Sequence, residues 1–249
     1  MSTAKNEWLF DLGNSRLKFA QRVLGGAGDV GDVGYLAHAE ADRLGDLPAA
    51  VHGEIAWVAA VASPARQAEL IDALGQRFAR ISFARSAACC GRLQIAYAEP
   101  GRLGVDRFLC LLAASREPRS RLLVGVGTAL TIDLVAADGR HIGGRIAPSP
   151  SLMRESLHAR AKQLPLSGGE AHTFAIDTLD ALASGCEGAA LALIEHSRAA
   201  AHAQLGDELE LWLHGGGADA LAERLASCRR VPNLVLRGLA DWARQGDHA

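Results

Sequence analysis

The chain has 249 residues, of which 49% are hydrophobic and 22% charged, a balance that supports a sizeable core and excludes disordered and fibrous classes. Its 26 Lys and Arg against 28 Asp and Glu leave a formal net charge of −2, so overall charge offers nucleic acid no footprint. No apolar run approaches the ~20 residues of a membrane helix, since the best stretch, Leu122 to Ile132, stops at Asp133.

The N-terminal Trp8-Leu9-Phe10 is cut off at once by Asp11, too short for the apolar region of a signal peptide. The five cysteines contain no Cys-x-x-Cys, so neither a disulfide framework nor a zinc site is indicated and a reducing cytoplasm is expected. By length the chain divides best into two domains.

In chain order, Trp8 to Phe10 and Arg16 to Val23 read as strands joined by a turn over Asp11 to Ser15, where Gly13 and Asn14 permit tight backbone. Gly25 to Gly34 reads as a loop, Ile55 to Ala62 as an apolar strand and Ala65 to Phe78 as an amphipathic helix. Val105 to Ser115 has apolar residues at helical spacing and begins beside Asp106. The pattern then restarts: a strand over Leu122 to Val124, a small-residue turn over Gly125 to Ala129, a strand over Thr131 to Ala136 and another over Ile142 to Ala147. Superposing the two turns puts Gly127 on Gly13 and Thr128 on Asn14, an internal duplication that implies two similar domains, 1–117 and 118–249. Helices over Leu152 to Gln163 and Asp177 to Leu205 follow, then a strand over Glu210 to Leu213, the turn His214 to Gly217 and a helix over Ala218 to Ala226.

Each Gly-containing turn leaves a strand and can present backbone N–H groups and small hydroxyls to phosphate oxygens, although such a hairpin also serves as a plain structural turn. Neither turn is a Walker A loop or a Gly-x-Gly-x-x-Gly site. Asp11 and Asp133 are carboxylates of the kind Mg²⁺ uses near phosphates. For Asp133 the alternative is a satisfied carboxylate within the sheet. In Gly104-Val105-Asp106-Arg107, Asp106 can accept a hydroxyl proton while Arg107 clamps an acidic substrate. The alternative is a helix-start Asp and a surface Arg. The nine histidines show no metal-binding spacing, and Arg154, Arg160, Arg224, Arg229 and Arg230 read as solvated surface.

Together these motifs resemble the type III pantothenate kinases of bacteria, members of the acetate-and-sugar-kinase, Hsp70 and actin superfamily. The resemblance runs through Asp11 to Lys18, Gly104 to Arg107, Gly127 to Asp133, Gly143 to Pro148 and Thr178 to Gly185, five segments in family order. It implies an α/β fold of two similar actin-like (ribonuclease H-like) domains with a nucleotide cleft between them. The implied activity is Mg-ATP-dependent phosphorylation of pantothenate to 4'-phosphopantothenate, the first step of coenzyme A biosynthesis.

By the same resemblance, Asp106 is the general base, and Tyr97, Gly104, Val105, Arg107 and Thr178 hold pantothenate, with Thr178 supplied by the neighbouring subunit of a homodimer. Asp11, Leu12, Gly13, Asn14, Ser15, Arg16, Leu17, Lys18 and Thr128 line the nucleotide site. The turn from His214 to Gly217 passes near the adenine or ribose.

Family members commonly carry Asp two residues before the second-motif Gly as a ligand for an activating potassium or ammonium ion; here that position is Gly125. Pro148 to Ser151 also replaces the usual Pro-Gly, with Pro150 stiffening an expected loop. Other readings of the same residues are a non-catalytic ATP-binding regulator, since relatives have been named as accessory factors for gene expression, and a kinase for another small hydroxyl acceptor.

Overall fold

The computed structural model describes residues 6–23, 30–37, 44–206 and 208–246. Strand β1 (Glu7–Leu12) turns at Gly13, whose N–H donates to the Arg16 carbonyl at 3.1 Å, and returns antiparallel as β2 (Arg16–Arg22), with Asp11 opposite Lys18. Strand β3 (Val30–Ala37) continues antiparallel on β2. The loop expected over Gly25 to Gly34 is therefore corrected for its last five residues, Val30 to Gly34; Gly25 to Asp29 lie outside the described residues. The strand survives its glycines because the Phe19 ring lies across Gly34, where a Cβ would meet Phe19 Cζ at 2.5 Å.

Strand β4 (Gly53–Ala60) lies parallel to β1. Helix α1 (Pro64–Gly75) starts where Ser63 accepts from the Arg66 N–H and Pro64 pre-sets the first turn. Strand β5 (Phe78–Phe83) adds parallel to β4, so Phe78 opens a strand rather than closing the helix. A small hairpin, β6 (Cys89–Cys90) and β7 (Leu93–Gln94), precedes helix α2 (Val105–Ala114). The sheet order is β3-β2-β1-β4-β5. Phe10, Leu12, Leu17, Phe19, Ala56 and Val58 bury one face against Leu70 and Leu74 of α1. Strand alternation puts Glu7, Asp11, Lys18 and Trp57 on the other.

The second half repeats this plan. Strands β8 (Ser120–Val126) and β9 (Ala129–Val135) form the hairpin, and β10 (His141–Pro148) pairs antiparallel with β9. Helices α3 (Pro150–Arg160) and α4 (Thr178–Leu205) follow, then β11 (Leu209–His214) parallel to β8, the short α5 (Ala218–Ala222) and β12 (Cys228–Arg230) parallel to β11. The order is β10-β9-β8-β11-β12, strand for strand the arrangement of the first sheet. Leu122, Val124, Leu130 and Ile132 pack against Ala190 and Ile194 of α4. The turn is tighter than expected: Gly125 and Val126 lie within β8, and Gly127 N–H closes on the Ala129 carbonyl at 3.0 Å.

Pro150 stiffens a helix start rather than a loop, with Ser149 capping the Leu152 N–H at 3.3 Å. Arg154, read as solvated, is buried and donates to the Gly168 carbonyl at 2.8 Å.

The described residues up to Arg116, together with those from Asn233, form one compact unit, and Glu117–Pro232 form the other. The expected second domain ran through 249, but helix α6 (Leu234–Gly246) belongs with the first unit. Leu236, Leu239, Ala240 and Ala243 of α6 are fully buried. Gly238 meets the Leu109 carbonyl of α2 so closely that a Cβ would stand 1.9 Å from its oxygen. Trp242 packs edge-on against Trp57 with ring centroids 5.7 Å apart, so α6 covers the Asp11 face of the sheet. Among the described residues, no helix is long and apolar enough to cross a membrane.

Candidate active site

In the first unit, the end of β1 and the start of α2 bring five of the expected residues together. Asp11 is half-buried near the end of β1, opposite Lys18 on β2. Loss of water around the Asp11 carboxyl pushes its pKa up to about 7; the Lys18 ammonium pulls against this, and the Asp106 carboxylate adds to the rise. Asp11 and Asp106 therefore lie close enough for each charge to be felt by the other. Lys18 Nζ also reaches Asn233 Oδ1, just before α6, at 3.5 Å.

Asp106 sits in the first turn of α2, where its Oδ1 accepts from the Arg107 backbone N–H at 2.8 Å. Gly104, at the N-cap, leaves that carboxylate its room. Arg107 is buried rather than a surface arginine, donates from Nη1 to the Tyr97 hydroxyl at 3.2 Å and lies 5.9 Å from the Tyr97 ring centroid. Asp106 and Arg107 thus stand side by side at the start of α2, with Tyr97, from the segment before it, on the Arg107 guanidinium. Val105 is half-buried in the same turn.

The first motif divides between backbone and side chains. Leu12 and Leu17 are buried in the core and anchor the hairpin, whereas Asn14, Ser15 and Arg16 are exposed at its tip.

In the second unit, Gly127 and Thr128 are exposed at the corresponding tip. The Thr128 carbonyl accepts from Ser149 Oγ at 2.9 Å, which ties this turn to the cap of α3. The glycine turn after β11 is fastened to the same strand end: Gly217 N–H donates to the Val126 carbonyl at 3.0 Å, and Gly215, at φ +97°, lies where a Cβ would stand 2.3 Å from that oxygen. Asp133 is buried on β9, its Oδ1 3.2 Å from His141 Nε2. Thr178 opens α4 behind the Asp177 cap and is exposed, as are Phe174, Ile176 and Leu179 beside it.

Residues 8–200 match the family model for type III pantothenate kinase. A type III pantothenate kinase of Stenotrophomonas maltophilia (strain K279a) is 53% identical over 240 residues, covering 96% of this chain and 97% of that relative. The chain belongs to the type III pantothenate kinases. A family member from Xylella fastidiosa (strain M23) is 52% identical over 239 residues, again covering 96% and 97% of the two chains. Among solved structures, a Campylobacter jejuni protein assigned to the Baf family of transcriptional activators superposes with a TM-score of 0.64 at 18% identity, over 97% of this chain and 100% of that one, a likeness of fold. The fold of this pantothenate kinase has two mixed-sheet domains of the same strand order.

Two contributors were missed in the sequence. Asn233 reaches Lys18 only because the chain returns to the first unit. Ser149 carries a legible signal, a Ser-Pro helix start.

Proposed function

We propose that the chain transfers the γ-phosphoryl group of ATP to the terminal hydroxyl of pantothenate, with Asp106 as general base. The observation that carries this reading is the Asp106 carboxylate, held at the start of α2 beside buried Arg107 and its half-buried partner Tyr97. Asp106 takes the hydroxyl proton, the freed oxygen forms a bond to the γ-phosphorus, and the bond to the β,γ-bridging oxygen breaks to release ADP. Arg107 faces the pantothenate carboxylate, Tyr97 holds Arg107 in place, and the Gly104–Val105 backbone lines the same pocket.

Each unit offers ATP one hairpin turn: in the first, Asp11, Asn14, Ser15, Arg16 and Lys18 offer polar groups and Gly13 its backbone, and in the second Thr128 does so. The repeated sheet supports this, because each copy presents one small-residue turn at the end of its first strand.

Mg²⁺ keeps several waters and needs one or two carboxylates besides the phosphates. Half-buried Asp11 suits that demand, while Asp133 already engages His141. When bound, the ion supplies charge neutralisation on the phosphates. Lys18 adds a fixed cation next to Asp11.

The catalytic form is a homodimer in which Thr178 serves the neighbouring subunit's site. The exposed Phe174, Ile176 and Leu179 around it support a surface meant to be covered by protein. Five free cysteines support a reducing, cytoplasmic setting, and a net charge of −2 supports small-molecule partners rather than nucleic acid. A regulator that binds ATP without turnover has no use for a positioned base, and Asp106 therefore favours the enzyme.

The test is ADP release from Mg-ATP with and without pantothenate, for the wild type and Asp106→Asn. The proposal expects ADP only with pantothenate and its loss by about 10²-fold or more in the variant, with ATP binding retained. Full activity in Asp106→Asn would remove the base from its role.

A further inference from the structure

The monovalent cation implied by the family resemblance does not fit the residues present. Gly125 lies within β8 with Thr131 opposite it on β9 and His214 beside it on β11. Its φ is not in the left-handed region, so conformation does not demand glycine here. Space does. A Cβ at Gly125 would stand 2.6 Å from Thr131 Oγ1, 2.9 Å from His214 Cε1 and 3.0 Å from His214 Nε2. The room in which a carboxylate at this position would reach a cation is filled by an imidazole and a hydroxyl.

The repeat within the chain makes the exchange legible. Asp11 on β1 has Lys18 opposite on β2 and Ala59 beside it on β4. Gly125, Thr131 and His214 hold the corresponding places in the second sheet. One copy has its polar group on the central strand and a small residue on the parallel neighbour; the other has the small residue in the centre and the polar ring on the neighbour. The His214 backbone is also held in place by its pairing with Gly125, and the residues that follow are fastened to the end of β8 through Gly217 N–H and the Val126 carbonyl. The backbone that carries the ring is thereby held at that strand end.

We infer that His214, packed over Gly125 beside Thr131, stands in place of a monovalent-cation site, so that this kinase turns over without potassium or ammonium and depends on the imidazole instead. His214 is a positioning residue for the end of β8 and the turn that follows. The inference rests on the kinase reading for its activity measurement, and a ligand-free measurement decides it independently.

The experiment compares potassium, ammonium, sodium and tetramethylammonium chlorides at equal ionic strength. For the wild type, pantothenate-dependent ADP release agrees within about twofold across the salts, and the melting temperature shows no potassium-specific rise. His214→Ala, which needs no new space, loses about tenfold in rate and regains part of it when imidazole is added, a rescue that general destabilisation would not give. Gly125→Asp combined with His214→Ala restores the carboxylate and clears the imidazole, leaving the Thr131 hydroxyl to turn aside by rotation about χ1, and gains a potassium-specific melting rise of more than about 2 °C. A wild type activated more than about fivefold by potassium, a potassium-specific melting rise in the wild type, or a His214→Ala variant with unchanged rate would each overturn the inference. Absence of ADP in every salt would count against the kinase reading, while the melting comparison of wild type and double variant would still decide the cation question.

Discussion

A Cβ on Gly104 would stand 2.8 Å from Oδ1 of Asp106, so the glycine at the N-cap of α2 is what allows the carboxylate to lie where it does. The backbone at Gly104, φ −52° and ψ 135°, is one any residue adopts. Gly104→Ala therefore displaces the carboxylate at little cost to the fold. Measured together, kcat falls about tenfold or more, while the melting temperature moves by no more than a few degrees. A large fall in melting temperature with the rate per folded molecule unchanged would mean that the glycine serves folding alone.

The Tyr97 hydroxyl accepts from Arg107, and Tyr97→Phe keeps the ring while deleting that acceptor. A lost hydrogen bond to a charged group is worth about 1.5–3 kcal/mol, or roughly ten- to a hundredfold, when the donor finds no replacement. If Arg107 binds pantothenate, the loss appears in KM for pantothenate and leaves KM for ATP in place. Steady-state kinetics with each substrate varied in turn separates the two.

Asp11 contributes to the pH dependence of ligand-free stability. Its carboxyl is raised from 3.8 to about 7 by burial, against the pull of Lys18 and with the push of Asp106. Between those values the folded protein holds a proton that the unfolded chain has lost, so this group's contribution to stability is greatest below pH 4, falls as pH rises towards 7 and then levels off. Asp11→Asn removes this group's share of the slope. The variant melts close to the wild type at acid pH and above it at pH 8, as thermal unfolding across the pH range will show.

If Thr178 acts across a dimer, two inactive variants complement each other. Mixing Asp106→Asn with Thr178→Ala under exchange gives heterodimers in which one site has both an intact Asp106 and a partner's Thr178. Activity then rises well above that of either variant alone. No rise, with subunit exchange verified by native mass spectrometry, would place Thr178 outside the site.

The parts of this molecule that could be read from the sequence are those whose cause is local. The two hairpins were legible because apolar alternation flanks Gly13 and Gly127, and α2 because Phe108, Leu111 and Leu112 recur at helical spacing. Strand β3 was not, since Gly34 has no strand preference of its own and depends on a Phe19 ring supplied by the neighbouring strand. The burial of Arg107 and Arg154 was also hidden, because each is satisfied by a partner that only the folded chain brings near: Tyr97 for one, the Gly168 carbonyl for the other. His214 was noted only as the start of a glycine turn. Its place over Gly125 requires the parallel pairing of β11 with β8, which no local pattern announces.

The return of α6 to the first unit sets an order of completion during synthesis. The unit holding Asp11, Lys18, Asp106 and Arg107 begins at the ribosome first, yet its Asp11 face stays uncovered until Leu234–Gly246 has been made. Glu117–Pro232 has by then been translated in full and can build its own sheet without waiting. The first unit is therefore the last to close, and a chain terminated shortly before Leu234 would carry a finished second unit and a first unit whose Trp57 and Leu109 lack their cover.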